Sequence, residues 1–329
     1  MDEPSLDGEE GVEIMELEQT DPRTLEQPHP PRLDPLFGTI LAATDFSAEA
    51  ENALAWAQAI ARAHGATVEL VHALSLPLLA PEMAAPTAEL LDEIERAAER
   101  KLQETVDQVR QGGCAINARL LPGQPSQVIL ELARELAPDL IVLGTRGLTG
   151  LRHALLGSTT ARVVQHAAAP VLSVHRQNRA PQQPIRTILA PTDFSADADL
   201  ACAVARRLLA CAADARLLLL HVYNLPIEYT AYGPIPLSIS YLEEAGAKAQ
   251  ARLEEEAEAL RETGLTVETA VREGYPPEVI AAEAERCGAD LVAMGTRGRS
   301  GFGHFFLGST AERVVQTASC PVLTVRRPA

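Results

Sequence analysis

The segment TILAATDFSAEAENALAWA that begins at Thr39 returns as TILAPTDFSADADLACAVA from Thr187, 148 residues later. A second segment, Leu143–Arg176, returns from Met294 after 151 residues, with 20 of its 34 aligned positions identical and no gap. Agreement of this kind is far beyond chance, so the chain is a duplication, and whatever fold it takes must be taken twice. A length of 329 residues leaves about 150 for each copy, the ordinary size of a single domain. Between the copies, Gln177–Pro184 (QNRAPQQP) is rich in proline and glutamine and is expected to be a linker. The organisation expected is a tail over 1–35, a first domain over 36–176, a linker over 177–184 and a second domain over 185–329.

Within each copy, short apolar runs alternate with amphipathic stretches. In the first copy Thr39–Thr44 is an apolar run that ends at Asp45. Ser47 then stands where a helix cap belongs, with Glu49 and Glu51 in a first turn that favours negative charge, and the helix is expected to reach about His64. A second strand is expected over Thr67–Ala73 and a long charged helix over Glu89–Gln111, stopped by Gly112-Gly113. A third strand over Ile116–Leu120, a helix over Ser126–Leu136 and a fourth strand over Asp139–Leu143 follow. A helix over Thr159–Ala167 and a fifth strand over Pro170–His175 close the unit, and the second copy repeats the order. Continuous apolar strands joined by helices imply an α/β fold, here two tandem doubly wound, five-stranded parallel-sheet domains. In such sheets ligands sit beyond the carboxyl ends of the strands, where the strand order reverses.

That rule places the chemistry at Asp45 and Asp193, which leave the first strand, and at Gly144 and Gly295, which leave the fourth. The loops read Gly144-Thr145-Arg146-Gly147, nine residues, Gly157-Ser158-Thr159, and Gly295-Thr296-Arg297-Gly298, nine residues, Gly308-Ser309-Thr310. Glycines let backbone amides approach phosphate oxygens, and they can adopt the positive φ of an anion-holding nest. Helices begin at Gly157 and Gly308, so free amides, a helix dipole and the hydroxyls of Ser158, Thr159, Ser309 and Thr310 converge on an anion. Arg146 and Arg297 either contact phosphate or point to solvent. Neither loop is a Walker A motif, which needs Gly-Lys-Ser/Thr, nor the GxGxxG of dinucleotide sites. Asp45 and Asp193 either contact a nucleotide or cap the following turn. His72 and His221 are expected to be packed strand-end histidines, and His153 and His304 to structure the glycine-flanked loops. Tyr229, Tyr232 and Tyr241 fall in a proline-rich stretch expected to be a loop.

The pattern GxxG-x9-GS, with TDFS after the first strand, resembles the ATP-binding subgroup of the universal stress protein family over both copies, leaving out the tail and the linker. The resemblance implies a fold like that of the adenine nucleotide alpha hydrolases, with ATP and its Mg2+ over strands one and four. It implies that Asp45 and Asp193 contact the adenosine side and that Ala73 and Val222 touch the base. It assigns the triphosphate and metal to Gly144, Gly147, Gly157 and Ser158 in one copy, and to Gly295, Gly298, Gly308 and Ser309 in the other. It implies, too, that the copies dock as an intramolecular pseudo-dimer through their last strands, around Val171, Leu172, Val322 and Leu323; an exposed apolar edge is a liability that pairing removes. The departures are local: Ala43 where the second copy has Pro191, and Thr-Arg between the first two glycines where Ser-His or Ser-Arg is common.

Charge and composition exclude other classes. The formal net charge is −17, which argues against nucleic acid as a partner. Residues 1–35 hold eleven acidic and two basic side chains, six prolines and almost no periodic apolar pattern, so a disordered, solubilising tail is expected there. Val12–Leu17 is its candidate partner-binding motif, the partner unidentified. No apolar run approaches the roughly 20 residues that span a bilayer, and a basic-then-apolar leader is missing, so the expected location is the cytoplasm. The five cysteines show neither CxxC nor metal spacing and are expected to be reduced, with no resident metal site. The function expected is regulatory ATP binding of the stress-response type, with at most weak ATPase activity. A slow ATP-hydrolysing enzyme and a nucleotide-independent interaction module are the alternatives, and assembly beyond the pseudo-dimer is left open. Replacing Gly144 or Gly295 by valine is expected to weaken ATP binding while leaving folding intact.

Overall fold

A computed structural model describes residues 37–75, 87–147, 156–223, 228–230, 233–235, 239–298 and 307–327. The acidic tail, His153, His304 and Tyr232 lie outside them. The first copy runs β1 (Thr39–Ala43), α1 (Ala48–His64), β2 (Thr67–Leu74), α2 (Ala88–Gln111), β3 (Ile116–Pro122), α3 (Pro125–Leu136), β4 (Leu140–Gly144), α4 (Ser158–His166) and β5 (Val171–Val174). The second runs β6 (Thr187–Pro191), α5 (Ala196–Leu209), β7 (Arg216–Tyr223), β8 (Glu228–Thr230), β9 (Gly233–Ile235), α6 (Ile239–Arg261), β10 (Thr266–Glu273), α7 (Pro276–Cys287), β11 (Leu291–Gly295), α8 (Ser309–Thr317) and β12 (Val322–Val325). Tyr229 falls on β8, in a small antiparallel hairpin with β9 rather than in a plain loop, and Tyr241 falls on α6.

The caps follow the physics of the residues that supply them. Ser47 accepts the Ala50 amide at the start of α1, Thr87 accepts that of Leu90 at α2, and Ser195 accepts that of Ala198 at α5. Gly65 ends α1 in the left-handed conformation that a helix stop prefers.

All strands but the hairpin join one ten-stranded sheet, in the order β10-β7-β6-β11-β12-β5-β4-β1-β2-β3. Each half is parallel and reverses its winding beside its first strand, between β1 and β4 and between β6 and β11. The halves meet at β5 and β12, which pair antiparallel with Leu323 opposite Leu172 and Val322 opposite Ser173. The expected docking of last strands is therefore what the chain does, and it fuses two sheets into one. On one face a single apolar core runs through both copies, taking in Ile40, Leu70, Leu172, Ile188, Leu219 and Leu323. On the other face each copy keeps its own cluster, under α3 and α4 and under α7 and α8.

Polar contacts seal the junction. Asp139, just before β4, accepts the Gly38 and Thr39 amides and pairs with Arg207 of α5 at 2.7 Å. Burial alone would raise the Asp139 carboxyl, but the Arg207 hydrogen bond and the two amides outweigh it and hold it below the usual range. Asn178 is buried at the start of the expected linker. Its side chain accepts the His175 amide at 2.7 Å and donates to the Ser319 carbonyl at 2.6 Å, while its own carbonyl accepts Trp56 Nε1 at 2.8 Å.

Two buried histidines also stand at the junction. His64 packs edge-on against Phe37 at 4.9 Å, and His175 follows β5. Burial holds the His64 pKa below 6.5; the Leu208 backbone opposes this, Arg207 adds to it and Asp139 opposes it. Burial likewise lowers His175, against the Val315 carbonyl and with Arg146. Both rings are therefore neutral when folded, whereas an unfolded chain protonates them near 6.5. A depressed folded pKa contributes stability that is complete above the unfolded value and is lost as pH falls below it. The melting temperature is expected to stay level above about pH 7 and to drop between about 6.5 and 5, before carboxylates titrate. The variant His64→Phe should flatten part of that slope; an unchanged slope in it would assign the effect elsewhere.

Candidate functional site

The site begins in the turn between β1 and α1. Thr44 Oγ1 accepts the Phe46 amide at 2.9 Å, and Asp45 Oδ1 accepts the Ser47 amide at 3.0 Å. This double closure forces Phe46 to φ 62°, a left-handed conformation that costs a non-glycine residue about 1 kcal/mol or more. His72 Nδ1 donates to the Thr44 carbonyl at 2.7 Å, and its ring packs against Phe46 at 4.5 Å. Lys101 also lies over that phenyl ring, its ammonium 4.8 Å from the centroid. The second copy repeats the device with Thr192, Asp193, Phe194 at φ 63°, His221 and Arg252. Asp45 and Asp193 thus do cap the following turn through one carboxylate oxygen. His72 and His221 tie the second strand to the first, which brings Ala73 and Val222, one residue on, to the same carboxyl edge of the sheet.

The glycine loop approaches from β4. Gly147 lies against Asp45: a Cβ there would strike Asp45 Oδ2, and one on Gly298 would stand 2.7 Å from Asp193 Oδ2. The ends of strands one and four therefore meet at these two pairs, on the carboxyl side where the strand order reverses. At the base of the loop the Gly157 amide donates to the Thr145 carbonyl at 2.7 Å, with the Gly308 and Thr296 equivalent at 2.9 Å. A Cβ on Gly157 would sit 3.1 Å from that carbonyl oxygen, which is why glycine stands there. Thr160 Oγ1 donates to the Gly144 carbonyl at 2.7 Å and pins the first turn of α4 to the end of β4.

One expectation needs correcting. Gly144, Gly147, Gly157, Gly295, Gly298 and Gly308 are absent from the glycines with positive φ, so at these six positions the missing Cβ matters and left-handed backbone does not. Gly144 in particular faces away from the loop: a Cβ there would stand 3.0 Å from the Glu49 carbonyl carbon of α1, and at Gly295 2.8 Å from that of Asp197 on α5.

Helices α4 and α8 start from Gly157 and Gly308 with no side-chain cap. Ser47, Thr87 and Ser195 cap α1, α2 and α5, whereas α3 and α7 also lack a side-chain cap but begin with prolines, which carry no amide hydrogen. The first turns of α4 and α8, carrying Ser158-Thr159 and Ser309-Thr310, thus start without a side-chain cap and have the positive pole of a helix behind them. The two loop arginines differ. Arg146 is exposed, whereas Arg297 has one buried guanidinium nitrogen without a hydrogen-bond partner.

The missed contributors are Thr44, Phe46, Thr145 and Thr160 with their repeats Thr192, Phe194, Thr296 and Ala311, the last lacking the hydroxyl. The signal was in the repeat, where TDF and GTRG recur intact. The cysteines offer no nucleophile: burial pushes Cys202 and Cys320 up to about 12. Among the described residues no group of three or more His, Cys, Asp or Glu is placed to hold a metal ion.

A profile of the universal stress protein family matches residues 36–175 and again 184–326. A universal stress protein of Mycolicibacterium smegmatis is 28% identical over 300 residues, spanning 87% of this chain and 96% of its own length. A universal stress protein of Thermus aquaticus is 42% identical over 147 residues, 42% of this chain and 99% of itself. In architecture the chain is similar to the crystal structure of a universal stress protein from Archaeoglobus fulgidus, with a TM-score of 0.68 at 21% identity over 89% of this chain and 98% of that one.

The position of Gly144 reverses the expectation that valine there spares the fold. Its first side-chain atom meets helix backbone, which cannot swing away, and overpacking of this kind costs about 1–3 kcal/mol. Gly144→Val and Gly295→Val should each lower the melting temperature by several degrees, read by calorimetry without any ligand. Unchanged melting would show that α1 and α5 yield at these points.

Proposed function

Because the chain belongs to the universal stress protein family in both of its copies, we propose that each copy binds ATP with Mg2+ and that the protein is a regulatory, cytoplasmic nucleotide-binding component of a stress response. The observation that carries this reading is the pair of uncapped helix starts at Gly157 and Gly308, each beside the reversal point of its half-sheet. The amides and hydroxyls of Ser158 and Thr159, and of Ser309 and Thr310, are suited to phosphate oxygens, with Arg146 and Arg297 as charge partners. Gly147 and Gly298 keep Cβ atoms out of the space beside the aspartates, while Gly144 and Gly295 let α1 and α5 pack closely against the strand ends from which the loops leave. Asp45 and Ala73, with Asp193 and Val222, would face the adenosine. Mg2+ would arrive on the phosphates and keep most of its waters, meeting Ser158 or Ser309 rather than a protein cage.

The reading is binding rather than turnover. Rapid phosphoryl transfer needs a positioned base and a charge clamp at the terminal phosphate. Asp45, the acid beside the glycine loop, has one oxygen committed to the Ser47 amide and stands on the side assigned to adenosine.

Equilibrium dialysis of the full chain against ATP tests this. Two ATP per chain are expected in the wild type, and Gly147→Val or Gly298→Val should remove one each, because the added carbon collides with the neighbouring aspartate. Gly147 and Gly298 are exposed, so these variants should fold. No binding at millimolar ATP would overturn the nucleotide assignment, and hydrolysis at about one per second or faster would make the protein an enzyme.

A further inference from the structure

The glycine loop of the first copy is held by the second. Thr145 is fully buried, and it carries the loop: its carbonyl accepts the Gly157 amide at the loop's base, and its own amide donates to the Val174 carbonyl at 2.9 Å. Its hydroxyl meets His175 Nδ1 at 2.8 Å. The other nitrogen of that ring, Nε2, meets the Val315 carbonyl of α8 at 2.6 Å. A carbonyl only accepts, so Nε2 carries the proton, and in the neutral ring Nδ1 accepts from the threonine hydroxyl. Both ring nitrogens are therefore spent on one line from helix α8 of the second copy to the loop of the first. An apolar contact runs both ways and does not distinguish the copies: Leu156, immediately before Gly157, packs against the cluster under α7 and α8, and its counterpart Leu307, before Gly308, packs against the cluster under α3 and α4.

The second loop is built differently. Thr296 turns its hydroxyl to Asp197 of its own copy's α5, at 3.4 Å, and the same carboxylate accepts the Arg327 amide at 3.1 Å. Arg326 occupies the position of His175 and donates across the junction to the Gln165 carbonyl of α4, with no bond to Thr296. We propose that His175 is a positioning residue through which the second copy sets the conformation of the first copy's glycine loop: the buried Thr145 hydroxyl is anchored across the junction, whereas that of Thr296 is anchored within its own copy. Where it concerns ligand affinity, this rests on the nucleotide reading above.

Backbone amide exchange of the full chain, without ligand, tests the device independently of that reading. Losing one buried hydrogen bond corresponds to a change of about fivefold to tenfold. In His175→Phe, which keeps a ring and loses both bonds, exchange over Thr145–Gly147 should quicken by that factor while Thr296–Gly298 stays within about twofold. His175→Gln, which retains a donor and an acceptor, should recover part of the protection. Thr145→Val removes only the loop end of the line and should loosen the first loop alone, and it decides the matter if His175→Phe fails to fold. Equal quickening of both loops, or of β5 and β12 together, would make His175 an ordinary junction residue and overturn the proposal, as would no change in any variant. An ATP titration adds the ligand arm: Thr145→Val should weaken one of two sites by about fivefold to tenfold and leave the other unchanged. A wild type that takes no ATP would sink the nucleotide reading while the exchange result still decides the relay.

Discussion

Everything in this fold depends on the antiparallel pairing of β5 with β12. Both strands are four residues long and buried throughout. A parallel half-sheet that ended at either would expose a row of unpaired amides and carbonyls on an apolar strand, the arrangement that invites uncontrolled pairing. The duplication supplies a matching edge at no cost in diffusion, because the linker keeps the second copy at high effective concentration. Pairing then places Leu172 and Leu323 opposite each other and makes the core on one face continuous from Leu70 to Leu219. The same pairing brings α4 and α8, the helices that start at the glycine loops, to the two sides of the junction. The docking interface and the candidate sites are therefore neighbours by construction.

Much of this was legible in the residues themselves. Repetition announced two copies, apolar runs marked the strands, and Ser47 marked the start of α1, because a cap works through local hydrogen bonds that a sequence reader can enumerate. The positions of Asp45 and Gly144 at strand ends followed from the topology of parallel sheets. What escaped was whatever depends on contacts between distant segments. Nothing in GTRG says that Gly144 faces the backbone of α1, since that requires the crossing of a helix over a strand 95 residues later in the chain. Phe46 gives no hint of its left-handed φ, which is imposed by Thr44 and Asp45 together. Asn178 was hidden by composition: set among prolines and glutamines it looked like linker, yet it is buried and bonded to both copies.

The junction also shows why a duplicated chain is more than a dimer with its ends joined. In a symmetric pair each contact occurs twice, so any side chain that crosses the axis must tolerate its own image. Here Arg207 of α5 pairs with Asp139, but the position equivalent to Arg207 in α1 is Ala59, while Asp290, the counterpart of Asp139, still holds the Arg186 and Thr187 amides. The amide-holding role of the aspartate belongs to the repeat and is kept in both copies. The ion pair belongs to the junction and is made once.

The same separation applies at the glycine loops, and it has a chemical reason. Position 175 is histidine and its counterpart 326 is arginine, and both reach across to a helix carbonyl of the other copy. Arginine is a donor with no acceptor, so at 326 it can satisfy Gln165 and nothing that donates. A neutral histidine donates from one nitrogen and accepts on the other, so at 175 it can take the Thr145 hydroxyl as well as serve Val315. With arginine at 326, Thr296 must find its partner elsewhere, and Asp197 is one carbon shorter than Glu49, its counterpart in the first copy. The buried Arg297 nitrogen completes the contrast: the second loop gathers Arg297 and Arg326 near one another, and burial first and Arg297 second lower the pKa of Arg326, which stays protonated. Two sites that began as copies are thus left with one loop steadied by a neutral relay and the other carrying concentrated positive charge.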